Sequence, residues 1–118
     1  MLLGAPHLEV SKMDDIRQIY SSGTWQVKKG SEAAFIKAWQ QFANWTVANQ
    51  AGAGKGVLLQ DLEHSDRFLS FGPWESEARI AEWRSKPEFA AFVQKARELC
   101  EEILPRTMVV VASASKAE

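Results

Sequence analysis

The chain has 118 residues, 46% hydrophobic and 25% charged, enough for one globular domain and too few for a second core. Its 14 basic and 15 acidic residues give a formal net charge of -1, which removes the electrostatic footprint of a partner for nucleic acid or an anionic membrane. A single cysteine, Cys100, excludes an internal disulfide framework, and no apolar run approaches the roughly 20 residues that span a bilayer, so the expected setting is cytoplasmic.

Residues 1–14 read as a loose arm, without the basic lead or apolar core of a secretory signal. The domain is expected over 15–112, followed by a frayed polar tail over 113–118. Over 16–28, Ile19, Trp25 and Val27 alternate with Tyr20, Thr24 and Gln26, the period of a strand. Lys29-Gly30 stops it. Ser31 opens a helix that places Phe35, Ala38, Trp39, Phe42, Trp45, Thr46 and Asn49 on one face and Lys37, Gln41 and Asn44 on the other. The glycine-rich run 51–56 ends this helix, and because it follows a helix instead of leading into one, it is a poor phosphate cradle.

Residues 56–63 and 67–74 read as antiparallel strands joined by a short polar link. Ser76 is placed to cap a short helix ending near Ser85, and the Ser85–Glu88 spacing around Pro87 has the form of a capping box that starts the last helix. The apolar stripe of that helix is Phe89, Phe92, Val93, Ala96, Leu99, Cys100 and Ile103, which carries it to Pro105. Beyond it, the β-branched run from Thr107 to Ala112 is expected as a strand buried on both faces.

The order β-α-β-β-α-β, with the second helix broken in two, is the split βαβ ferredoxin-like arrangement: an α+β fold with a four-stranded antiparallel sheet and all helices on one face. The other face is bare. Val109 and Val111 point one way along the last strand and Met108 and Val110 the other, so the uncovered face calls for a second copy, closing a dimeric α+β barrel.

The segments Gly23-Thr24-Trp25-Gln26-Val27-Lys28-Lys29-Gly30, Phe35-Ile36-Lys37-Ala38-Trp39, Phe71-Gly72-Pro73-Trp74-Glu75-Ser76, Trp83-Arg84-Ser85-Lys86-Pro87-Glu88-Phe89 and Pro105-Arg106-Thr107 occur in this order. Together they resemble the antibiotic biosynthesis monooxygenase (ABM) domain family, over residues 19 to 112. The resemblance implies a homodimer and a small aromatic ligand. It also implies a choice of activities: cofactor-independent oxygenation of anthrone-like polyketides, quinol oxidation or heme degradation.

The heme branch fits poorly. Its members carry a first-strand Asn, a Trp in the middle helical segment and a His ligand to iron; here Gly23, Trp83 and Val93 stand at those places. Valine cannot ligate iron, and no His, Cys and carboxylate set recurs at metal-ligand spacing.

The oxygenase branch asks for a dry aromatic slot, a route for one proton and donors for an anion, with molecular oxygen as co-substrate and no cofactor. Small Ser21 and Gly23 beside Trp25, and Ser70 and Gly72 beside Phe68 and Trp74, leave a gap that Trp39, Phe42 and Trp83 face from the helices. The substrate-binding candidates are therefore Trp25, Trp39, Phe42, Phe68, Ser70 and Trp74. The catalytic candidates are Trp83, which the resemblance singles out, Arg79 one turn before it, and Asn49 on the buried side of the first helix. Plain packing for the tryptophans, a surface role for Arg79 and a capping role for Asn49 stand beside these readings. The same slot also suits a non-catalytic binder of aromatic metabolites, or an isomerase or cyclase that needs no oxygen.

Overall fold

A computed structural model describes residues 16–116 of the chain. The arm expected over 1–14 and the last two residues of the expected tail lie outside the described residues, while 113–116 are exposed and without regular structure. The elements are β1 Ile19–Val27, α1 Glu32–Asn49, β2 Val57–Gln60, β3 Arg67–Trp74, α2 Glu77–Arg84, α3 Pro87–Leu99 and β4 Cys100–Val109. The strands form one sheet in the order β2-β3-β1-β4, every neighbouring pair antiparallel, which is the ferredoxin-like α+β topology.

β1 follows the alternation of its sequence. Gly23, Trp25 and Val27 are buried and Thr24 is exposed, because side chains two apart share a face. Phe35 of α1 is fully buried against that face, with ring centroids 5.2 Å from Trp25 and 5.3 Å from Phe68. Phe92 and Ala96 of α3 complete the core, and burial of each such aromatic side chain stabilises the fold by about 2–3 kcal/mol.

α1 ends at the glycine run. Gly52 adopts φ +86, a left-handed conformation that glycine enters without strain, and its carbonyl accepts the Glu75 N–H at 2.8 Å. Gly54 N–H then donates to the Pro73 carbonyl at 2.8 Å, so the run lies along the end of β3. At Ser76 the expected cap is present, with its hydroxyl accepting the Arg79 N–H at 3.2 Å.

Four expectations need correction. α3 stops at Leu99, whose carbonyl accepts the Lys28 N–H at 2.9 Å, and Cys100 already belongs to β4. Pro105 therefore sits inside a strand, opposite Gly23, and not at a helix end. β4 is an edge strand, where proline's missing N–H is tolerated. For the same reason Thr107, Met108 and Val109 are exposed instead of buried on both faces. The capping box at Ser85 does not form: its hydroxyl donates back to the Glu82 carbonyl at 2.6 Å, and Lys86 precedes α3 without a side-chain cap.

Candidate active site between sheet and helices

The β1–β3 register sets the floor of the site. Ser21 pairs with Gly72 and Gly23 with Ser70, so four small residues meet at the sheet centre, flanked by Trp25 and Trp74. The Trp25 indole N–H donates to the Ser70 hydroxyl at 2.9 Å, and the Trp74 indole N–H to the Ser21 hydroxyl at 3.0 Å. Gly23 is required here, because a Cβ would stand 2.8 Å from the Trp25 ring.

The helices supply the other wall. Trp83 of α2 stacks on Phe42 of α1 at 5.6 Å and tilts against Trp74 at 4.8 Å, while Phe42 stacks on Phe92 at 4.5 Å. A third indole–hydroxyl pair joins α2 to α1: Trp83 Nε1 donates to the buried Thr46 hydroxyl at 3.0 Å. Between the two walls lies a cavity of roughly 870 Å³, within the ordinary range of small-molecule sites.

Trp25, Trp39, Phe42, Ser70, Trp74 and Trp83 all line this cavity, as do Ser21 and Thr46. Each of the three hydroxyls accepts an indole proton and retains its own for donation. Three hydroxyls thereby stand among the aromatic rings of the wall, while Arg84, Arg97, Glu101, Glu102 and Arg106 line the cavity as charged groups.

Three candidates lie elsewhere. Phe68 is buried in the core under Phe35 and does not reach the cavity wall. Asn49 is exposed at the end of α1, where its amide donates to the Trp45 carbonyl at 2.9 Å, in place of the buried position that its spacing suggests. Arg79 faces away from the cavity, held at 3.1 Å by both Glu75 and Glu82, whose hydrogen bonds raise its pKa. His64 is exposed in the β2–β3 link, and among the described residues no histidine lines the cavity. Cys100 lines it, but burial pushes its thiol up to about 11, leaving it protonated at neutral pH.

Two residues of the wall escaped the sequence reading. Thr46 looks like one more small position on a helix stripe, and its bond to Trp83 spans 37 residues. Arg84 follows Trp83 in a segment that carries the resemblance but has no role assigned there, and its guanidinium reaches the β4 edge, donating to the Thr107 hydroxyl at 2.9 Å. Among the described residues no group of acidic, His or Cys side chains is placed to hold a metal ion.

The family model for Antibiotic biosynthesis monooxygenase matches residues 19–95. No functionally curated protein matches the chain. Similar solved structures include a Shewanella oneidensis protein, 21% identical with a TM-score of 0.71, covering 79% of this chain and 90% of its own. SnoaB from Streptomyces nogalater, a cofactor-independent oxygenase solved as a mutant, is 17% identical with a TM-score of 0.70, covering 86% of this chain and 99% of its own. A Bacteroides thetaiotaomicron protein of unknown function is 16% identical with a TM-score of 0.71, covering 79% of this chain and 97% of its own. At such identities the likeness is one of fold.

Proposed function

Because the chain belongs to the antibiotic biosynthesis monooxygenase family, we propose that it oxidises an electron-rich phenolic, anthrone-like or quinol molecule with molecular oxygen, without a cofactor. The observation that carries this reading is the aromatic cavity set with three hydroxyl donors, Ser21, Thr46 and Ser70.

Ground-state oxygen is a triplet and reacts slowly with closed-shell organic molecules. An anion derived from an anthrone can pass it one electron, and the radical pair then joins as a carbon–oxygen bond. Loss of water from the resulting hydroperoxide leaves a ketone, so that one CH₂ and one O₂ become one C=O and one H₂O. The substrate provides every electron.

What this chain contributes is positioning and charge stabilisation. Trp83, Phe42 and Trp74 offer ring faces for a planar ligand, each contact worth about 1 kcal/mol. The hydroxyls donate to the developing oxyanion in a water-poor setting, where such bonds are strongest. Trp83 acts by stacking and by holding Thr46, since its N–H is already committed. The proton leaves toward solvent by way of the exposed carboxylates Glu101 and Glu102, which line the cavity.

The outer face of the sheet supports assembly with a second copy. Leu59, Leu69, Thr24 and Leu104 follow one another in register across all four strands, and all are exposed. Leu69→Asp is expected to convert a dimer to a monomer in sedimentation, and a wild-type monomer would remove the second copy from the proposal.

Oxygen uptake by metal-free protein, with a panel of anthrones and reduced naphthoquinones, tests the activity. Uptake proportional to protein, unchanged by chelator and reduced in Trp83→Phe, is expected. The aromatic wall equally supports one second reading, a binder of aromatic metabolites. It requires saturable binding with no oxygen consumption.

A further inference from the structure

Two arginines of α2 have opposite surroundings. Arg79 is neutralised by Glu75 and Glu82, both at 3.1 Å. Arg84 has no carboxylate within 4.0 Å among the described residues, although Glu101 and Glu102 line the same cavity. It is half-buried, and burial lowers its pKa, yet a guanidinium remains a cation at any physiological pH.

Its position is fixed. One nitrogen donates to the Thr107 hydroxyl at 2.9 Å and the other terminal nitrogen lies 3.4 Å from the Arg106 carbonyl, so the side chain bridges the end of α2 to the edge strand. Thr107 pairs with Ser21, which holds the Trp74 indole, so the guanidinium stands one strand away from the cavity floor. A guanidinium carries five N–H donors in a rigid fork, and only two contacts engage it here. An anchored, partly desolvated cation with donors to spare is unfavourable in the empty protein and becomes favourable when an anion arrives.

We propose that Arg84 is the anion-recognising group of the cavity, and that the ligand is a planar aromatic molecule bearing a carboxylate at the end that meets α2 and β4. This inference rests on reading the cavity as an aromatic-ligand site. It adds a substrate class, aromatic carboxylates over neutral analogues, and a residue for that choice. Arg97 and Arg106 also line the cavity, but both are exposed, and the Arg106 guanidinium donates to its neighbouring Pro105 carbonyl at 2.9 Å; Arg84 alone of the three is half-buried and tied by two contacts to β4.

The test compares 2-naphthoate with its methyl ester by quenching of tryptophan emission, in wild type, Arg84→Gln, Arg84→Lys and Arg79→Gln. In wild type the carboxylate is expected to bind about tenfold tighter than the ester, the worth of one charge-assisted contact. Arg84→Gln should bring that ratio close to one while leaving ester affinity unchanged, Arg84→Lys should keep part of the preference, and Arg79→Gln should keep all of it. Ester binding with no wild-type preference for the carboxylate, or a preference that survives Arg84→Gln, overturns the proposal and leaves the aromatic site standing. Failure of both probes to bind overturns the aromatic site itself. If Arg84→Gln does not fold, as judged by near-ultraviolet circular dichroism, the wild-type ratio and Arg84→Lys decide: an absent ratio, or one that Arg84→Lys does not change, overturns it.

Discussion

Trp25 and Trp74 are related by a local two-fold axis through the β1–β3 pair. Each indole reaches diagonally across to the serine that faces the glycine two residues before it: Trp25 to Ser70 opposite Gly23, and Trp74 to Ser21 opposite Gly72. The two strands carry the same pattern, Ser21-Ser22-Gly23-Thr24-Trp25 and Ser70-Phe71-Gly72-Pro73-Trp74, and antiparallel pairing turns the repeat into symmetry.

Removing one hydroxyl should leave one buried indole N–H without a partner. Ser70→Ala is expected to lower stability by about 1–3 kcal/mol in urea unfolding, the desolvation cost of an orphaned donor. Trp25→Phe combined with Ser70→Ala should cost less than the sum of the two changes. Strict additivity would show that the bond contributes nothing.

Gly23→Ala should destabilise by about 1–3 kcal/mol and alter the near-ultraviolet circular dichroism of the tryptophans, because the added methyl overlaps the tethered Trp25 ring. The ring cannot swing aside without losing Ser70. Unchanged stability would mean that Trp25 is free to move.

How much of this was legible in the sequence follows from the range of each contact. The alternation at Trp25 and Val27, the stripe of α1 from Phe35 to Thr46 and the Ser76 cap are local, and they appear as read, while Asn49 at the end of that stripe is exposed. Pro105 misleads because a proline after an apolar helical stripe usually ends a helix, and only the sheet order shows that its strand is an edge. Arg79 could have been placed by spacing: Glu75 and Glu82 stand four before and three after it, the separations at which helical side chains meet. The repeated serine, glycine and tryptophan pattern was likewise a visible signal. The Trp83–Thr46 and Arg84–Thr107 contacts were not, since each joins elements whose packing no local pattern encodes.

Thr46→Val keeps the shape of α1 and removes the acceptor of the Trp83 N–H. Oxygen uptake with an anthrone should fall by about tenfold, the loss of one donor to a developing oxyanion, with a smaller change in KM than in kcat. A rise in KM alone would assign Thr46 to ligand binding and away from the oxidation step.

Cys100 gives a pH signature. Burial raises its thiol from 9.0 to about 11, with Lys28 opposing the shift, so the folded chain holds the proton more tightly than the unfolded one. The associated stability is fully present below 9.0 and is lost as pH rises toward 11. Alkylation by iodoacetamide near neutral pH should be slow in the native protein and fast in urea. Equal rates would place the thiol at the surface.

The most direct measurement is the fate of isotopically labelled oxygen. Metal-free protein incubated with an anthrone under heavy dioxygen should yield the anthraquinone with one heavy atom in its new carbonyl, the second leaving in water, at a rate proportional to protein and indifferent to chelator. Quinone that forms no faster than in the protein-free solution, under conditions where the anthrone demonstrably occupies the cavity, would contradict oxidation by this chain.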